Sequence, residues 1–192
     1  MANELTTDPI GKYRNLRSHI DEKIKKLEGL HDADITCHAG CRACCVNLTV
    51  FPVEFFAILE NLTETHALKN DFLFDESASC GFLNEEGLCR IYPFRPIICR
   101  THGLPILFLN DSQEEPAWEV SFCELNFRNR ASIEFTEDTL LDIETINAEL
   151  NRINDQFIAS LSGNEYHSQQ RIQLKELCKK PNNVKEDPQG AC

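Results

Sequence analysis

The fold class predicted by this sequence is mainly α with a small antiparallel β element, a single domain whose cysteine-rich middle lies between helices. Three observations carry that expectation. Segments toward both ends repeat apolar residues at spacings of three and four, the period of an amphipathic helix. The middle, residues 37–130, loses that period and holds short extended runs around Gly- and Pro-bearing turns. Strand–helix–strand alternation, the mark of a parallel α/β sheet, is missing throughout. At 192 residues the chain fits one domain, large enough to bury a core without staples. It divides into an N-terminal helix (1–36), a cysteine-cluster region (37–130), and C-terminal helices with a polar tail (131–192).

In order, Asp8-Pro9 supplies the cap and first-turn chemistry of a helix start. Ile10, Tyr13, Leu16, Ile20, Ile24 and Leu27 then fall on one face, predicting about five turns ending near Gly29. Val46 to Phe51 reads as a short strand, and Pro52 opens a second helix whose Phe55, Ile58, Leu59 and Leu62 share a face. Residues 63–79 are polar and read as loop. Cys80-Gly-Phe-Leu83 and Leu88-Cys-Arg-Ile-Tyr92 read as two short strands around a turn at Gly87. Arg95-Pro96 biases the chain toward an extended or turn conformation. Leu104 to Leu109 and Ala117 to Phe122 flank a polar loop and are expected to pair as a hairpin. Thr136 is the expected cap of a long helix carrying Leu140, Ile143, Ile146, Leu150, Ile153 and Phe157. Ser162-Gly163 breaks it, and a last short helix is expected from about Gln169 to Lys179.

Composition narrows the function classes. The formal net charge is −12, and residues 110–160 carry twelve acids against three bases. A nucleic-acid surface needs a basic stripe that this chain lacks. The acid excess is read as solvated surface, or as a docking face for a basic protein partner. The first fifteen residues lack the apolar core of a secretory signal, and no apolar run approaches the roughly 20 residues of a membrane helix. A cytoplasmic protein is therefore expected, and in a reducing compartment clustered cysteines are metal ligands or redox groups rather than disulfides.

Of ten cysteines, eight lie between Cys37 and Cys123. They read C-x3-C-x2-C-C at Cys37, Cys41, Cys44 and Cys45, then C-x8-C-x9-C at Cys80, Cys89 and Cys99, then Cys123. Thiolate metal sites need sulfurs converging at about 2.3 Å from the ion, and short spacings let one loop supply two of them. Eight thiols equal two four-cysteine sites, or one four-iron cluster with a second metal or spare sulfurs. Adjacent side chains diverge, so Cys44 and Cys45 feed two sites, or one of them is packed or redox-active. Cys37, Cys41 and Cys44 have the cysteine spacing of radical-SAM enzymes, but the helix before them and the lack of βα units after them argue against that fold. Arg95 and Arg100 are candidates to offset the thiolate charge or to hydrogen-bond the sulfurs, with a plain structural ion pair as the alternative. His38 and His102 are read as neighbours of the site rather than ligands, and Tyr92 as packing. Cys178 reads as a half-buried hydrophobe and Cys192 as a free thiol in the tail.

These residues resemble the YkgJ-type cysteine-cluster proteins, the CxxCxxCC zinc- or iron-chelating domain. The likeness rests on the first four cysteines, on Pro52-Val-Glu54, and on Cys80-Gly-Phe-Leu83 … Gly87-Leu-Cys89-Arg-Ile-Tyr92-x2-Arg95-Pro96-x2-Cys99-Arg100. It covers roughly residues 37–100, and the first gap here is three residues rather than two. A similar cluster occurs in flagellin lysine methylases, whose large remainder this chain lacks. The resemblance implies metal or iron–sulfur binding, and members are loosely described as iron–sulfur oxidoreductases. Cys123 joins the set from spacing and count alone. The expected cofactor is an iron–sulfur cluster or thiolate-bound zinc or iron, serving electron transfer, metal handling or a partner enzyme. The competing expectation is a structural zinc module that folds an interaction surface. An enzyme with Cys45 as nucleophile would need a base and a pocket that the sequence does not locate.

Overall fold

The computed structural model describes residues 8–65, 78–112, 114–130, 132–163 and 165–178. Helix α1, Pro9–Leu30, starts where Asp8 accepts hydrogen bonds from the amides of Ile10 and Gly11, with Pro9 needing no donor partner. Strand β1 is only Thr49–Val50, and α2 follows at Pro52–Glu64. A 3₁₀ turn at Tyr92–Phe94 leads into the short α3, Ile97–Thr101. Strands β2, Ile106–Asn110, and β3, Ala117–Ser121, form the expected hairpin, pairing antiparallel from Ile106 opposite Ser121 to Asn110 opposite Ala117. Strand β4, Leu141–Asp142, lies parallel to β2 on its other side. Helix α4 is Ile143–Ser160, and β5, Ile172–Gln173, pairs antiparallel with β1.

Helices α1, α2 and α4 pack on one another around a core that includes Tyr13, Ile20, Val53, Leu150, Ile153 and Phe157. A second apolar cluster, with Val50, Ile58, Leu62, Phe82 and Ile91 at its centre, lies on the other side of α2. Helix α2 contributes to both clusters, which is why its Val53, Ala57, Ile58 and Leu62 have no exposed surface.

Four expectations are corrected. The long helix begins at Ile143, not after Thr136: Asp142 caps it by accepting from the Thr145 amide, while Thr136 ends up beside a separate 3₁₀ turn, Glu137–Thr139. The strand pairing of Leu141 with Ile106 takes up the residues that the apolar period assigned to helix. The segment 80–92 makes a single isolated bridge, Leu83 opposite Cys89, rather than two strands, because turns at both of its ends use the backbone donors. Toward the C-terminus, β5 and a 3₁₀ turn, Leu174–Cys178, replace the expected last helix; the Leu174 amide donates to the carbonyl of Leu48 and so belongs to the β1 pairing. Thr63 and Glu64 extend α2 into the expected loop. Most of that loop, the Cys178 side chain and Cys192 lie outside the described residues.

Buried between the helices is one acid. Glu54, 2% exposed, accepts from the amides of Ile97 at 3.1 Å and Phe51 at 3.4 Å, and from the Tyr13 hydroxyl at 3.4 Å. It thereby ties the first turn of α2 to the start of α3, the helix that carries Cys99. Burial raises its carboxyl above the usual range, against the pull of the Ile97 and Phe51 amides.

Candidate metal centre

All eight clustered cysteines are free thiols, and the chain returns to the first of them by a specific clamp. The Phe127 amide donates to the carbonyl of Asp34, and the Asn126 carboxamide oxygen accepts from the Thr36 amide at 2.9 Å. Arg130 meets Asp34 in an ion pair at 2.6 Å. Phe127 adopts φ 59° to make the turn and buries its ring against His31, Phe122 and Phe135. Segment 123–127 is thus locked alongside 34–37. The buried Asn126 sends its amide nitrogen to the Gly103 carbonyl at 2.7 Å and to Cys37 Sγ at 3.6 Å. The Cys123 amide donates to the same Gly103 carbonyl, which seats Cys123 beside Cys37.

Gly103 is required there. Its φ is +91°, and a Cβ would stand 3.0 Å from Cys37 Sγ and 3.9 Å from the Cys123 Cβ. The other close approach is at Gly87, φ +79°, where a Cβ would come within 3.3 Å of the Gly40 carbonyl; this brings the turn of 80–89 against the loop of 37–45.

The thiols group by proximity. Cys37 lies within charge–charge range of Cys123, Cys41 and Cys44, and Cys44 within range of Cys41 and Cys123. Cys45 lies near Cys44, Cys80 and Cys89, and Cys99 near Cys89, Cys80 and Cys45. Seven of the eight, all but Cys123, line one cavity of about 490 Å³. Cys44 and Cys123 also reach a neighbouring apolar cavity of about 660 Å³, with His102, Asn147 and Arg171 on its wall. Burial pushes the Cys45 thiol up to about 11 and Cys99 up to about 12, and it also raises Cys37, Cys44 and Cys89. Without a cation these thiols hold their protons at neutral pH. Among the described residues no group of three or more His, Cys, Asp or Glu side chains is already assembled to hold an ion. A bound metal would draw the protons off and the sulfurs together.

The two arginines differ. The Arg100 guanidinium is engaged by Asp21 at 2.7 and 2.8 Å and by the carbonyls of Arg95 and Pro93. Arg95 stacks on Tyr92, 3.6 Å from the ring centre, and its positive charge lowers the thiols of Cys99, Cys45, Cys44 and Cys89 against their burial. Its Nε is buried with no hydrogen-bond partner. An orphaned cationic N–H among free thiols matches a thiolate-ligated metal, whose sulfurs accept hydrogen bonds and carry net negative charge. The donor set and this orphan donor fit zinc or iron in all-cysteine coordination. His38 is exposed and bonds the Thr36 carbonyl. His102 is half-buried at both cavities, and burial lowers its pKa.

Sequence spacing gave no sign of Asn126, Gly103 or Glu54 as supports of the site. A weak signal existed for Gly103, next to His102 and three residues after Arg100, as an isolated Gly where two backbones meet closely. Residues 36–124 match the family model CxxCxxCC, described as "Putative zinc- or iron-chelating domain". No curated protein and no solved structure matches the chain.

Proposed function

We propose that this protein, whose residues 36–124 match the CxxCxxCC domain model, holds an iron–sulfur cluster or thiolate-bound zinc or iron, in the service of electron transfer, metal handling or a partner enzyme. The observation that carries the reading is the gathering of free thiols from three separated segments, 37–45, 80–89 and 99, on the wall of one cavity that Arg95 also lines. Iron bound as a cluster would supply one-electron chemistry, and zinc would supply a fixed charge and a fold. The chain's own part is to bring the sulfurs together through the Asn126 clamp and the Glu54 tie, and to offset their charge with Arg95. Val46, Leu88 and Tyr92, 48%, 40% and 57% exposed, border the thiol cavity and offer a partner protein apolar contact.

A second reading, a structural zinc module, is favoured by how little regular structure lies between α1 and β1 and over residues 78–91. There a metal would take the place of a core. Colour and composition separate the two: protein purified without oxygen is brown and carries iron with acid-labile sulfide in the first case, and is colourless with stoichiometric zinc in the second. Serine at Cys41, Cys44, Cys89 or Cys99 lowers metal content and stability, while serine at Cys192 changes neither. Unchanged metal content in all four variants would defeat both readings.

A further inference from the structure

We infer that the eight thiols make two separate four-cysteine sites, one of Cys37, Cys41, Cys44 and Cys123 and one of Cys45, Cys80, Cys89 and Cys99, with the first exchanging its metal and the second holding it. This rests on the metal-binding reading above and adds the number of sites, their ligands and their unequal lability.

The backbone imposes the division. Cys44 and Cys45 occupy the last two positions of a turn closed by the Cys45 amide on the Arg42 carbonyl, and adjacent side chains leave the chain in different directions. Cys44 takes the side of Cys41 and Cys123; Cys45 takes the side of Cys80 and Cys89. Cys44 and Cys123 share the wall of the cavity of about 660 Å³, which none of Cys45, Cys80, Cys89 and Cys99 lines, and Cys37 Sγ and the Cys123 Cβ flank the same Gly103. Each group is also built by its own supports. The first is assembled by Asn126, Gly103 and the 34–37 clamp, all from loops. In the second, Cys80 and Cys89 pack against the apolar cluster of Phe82, Ile91 and α2, and Cys99 sits on α3, tied down by Glu54. Four thiolates complete a tetrahedral zinc site or the ligation of one iron–sulfur cluster, so neither group needs a sulfur from the other.

Exposure sets the difference in lability. Cys37 and Cys44 are exposed, whereas all four members of the second group are half-buried. A chelator reaches the first group from solvent and from the cavity that Cys44 and Cys123 share with His102. In the second, Cys80 and Cys89 pack against the second apolar cluster and Cys99 is held on α3, so its sulfurs, though on the wall of the same cavity as Cys37, Cys41 and Cys44, are freed less readily.

The test is titration of metal-free protein with cobalt(II), then with zinc, under reducing conditions without oxygen. Two ions bind per chain. Cys44→Ser and Cys45→Ser are the decisive pair, since they are neighbours and perturb the same turn: each leaves one ion, the first variant keeping the slow-release ion and the second the fast-release one when a chromophoric chelator is added. Cys37→Ser and Cys123→Ser behave as Cys44→Ser; Cys80→Ser behaves as Cys45→Ser and stands in for Cys99→Ser if that variant fails to fold. A single ion per chain lost in every variant overturns the division while leaving metal binding intact. Equal release rates for the two ions overturn the assignment of lability. Binding of no cobalt and no zinc removes the reading on which the inference rests.

Discussion

Gly103→Ala isolates the geometry of the first thiol group without removing a sulfur. At φ +91° an L side chain is strained by about 1–2 kcal/mol. The new methyl would also start 3.0 Å from Cys37 Sγ, short of the roughly 3.5–4.0 Å at which non-bonded heavy atoms rest, so the sulfur or the loop must yield by about 0.5 Å or more. Cys37 cannot yield freely, because Asn126 holds its sulfur while bonding Thr36 and the Gly103 carbonyl. The strain appears in the metal-free protein as a drop in Tm of about 2–8 °C, at about 2–4 °C per kcal/mol for a chain of this size. The displaced sulfur appears separately, as weaker metal binding. If the displacement costs the metal about 1–2 kcal/mol, affinity falls roughly 5- to 30-fold at the exchanging site and is unchanged at the other. Chelator competition with cobalt or zinc measures affinity, and calorimetry of the metal-free form measures Tm. Gly29→Ala is the opposite control: it lies in the last turn of α1 with no atom within 4 Å of its would-be Cβ, and gains at most about 0.5–1 kcal/mol from helix propensity with no change in metal affinity. A Gly103→Ala protein with lowered Tm and unaltered affinity at both sites would refute the placement of Cys37 and Cys123 around this glycine.

Two further outcomes follow from the groups around the site. For Glu54 the sign runs thus: burial raises the folded pKa above the unfolded value of about 4.3, so its stability contribution is complete below that pH and is lost as pH rises through the folded value. Glu54→Gln removes this slope, so the Tm of the variant minus that of the wild type grows more positive from pH 4 to 8; a difference that falls with pH would mean that the Ile97 and Phe51 amides outweigh burial. Arg95→Gln removes the charge that faces Cys99, Cys45, Cys44 and Cys89 and weakens metal binding roughly 10- to 150-fold, most at the retained site, which holds three of those four thiols, on the scale of about 1.5–3 kcal/mol for a hydrogen bond to a charged group. Arg95→Lys restores part of it, since an ammonium keeps the charge and loses the planar stack on Tyr92.

The helices were legible wherever one face is buried along a whole element. In α1, Ile10, Tyr13, Ile20 and Leu27 are buried, as their spacing predicts. The period misled at Leu140, which is buried ahead of the helix, where the next residue, Leu141, belongs to a parallel strand pair. Burial is what periodicity reports, and a buried strand end next to a helix reads as one more helical turn. The hairpin of β2 and β3 was visible because its two apolar runs flank a polar loop, whereas 80–92, with cysteines in place of alternating residues, yields only the Leu83–Cys89 bridge.

The thiols themselves were legible, since eight cysteines between Cys37 and Cys123 already demand an explanation. What no local pattern encodes is the route by which distant segments meet. Cys123 is 86 positions after Cys37, and it is placed by the Asn126 carboxamide, the positive φ of Phe127 and the ion pair of Arg130 with Asp34. None of those residues carries metal chemistry, and each would pass for loop filler in the sequence. Glu54 entered the sequence reading only as part of the Pro52-Val-Glu54 match, and nothing there showed that its buried carboxyl sets α3 and therefore Cys99. Glu54 ties together elements that meet only in the folded chain, and the Asn126 clamp lies in loops, so a substitution at either that leaves every cysteine in place should still scatter the thiols. This makes the supports, rather than the ligands, the more telling residues for deciding whether two related chains share this centre.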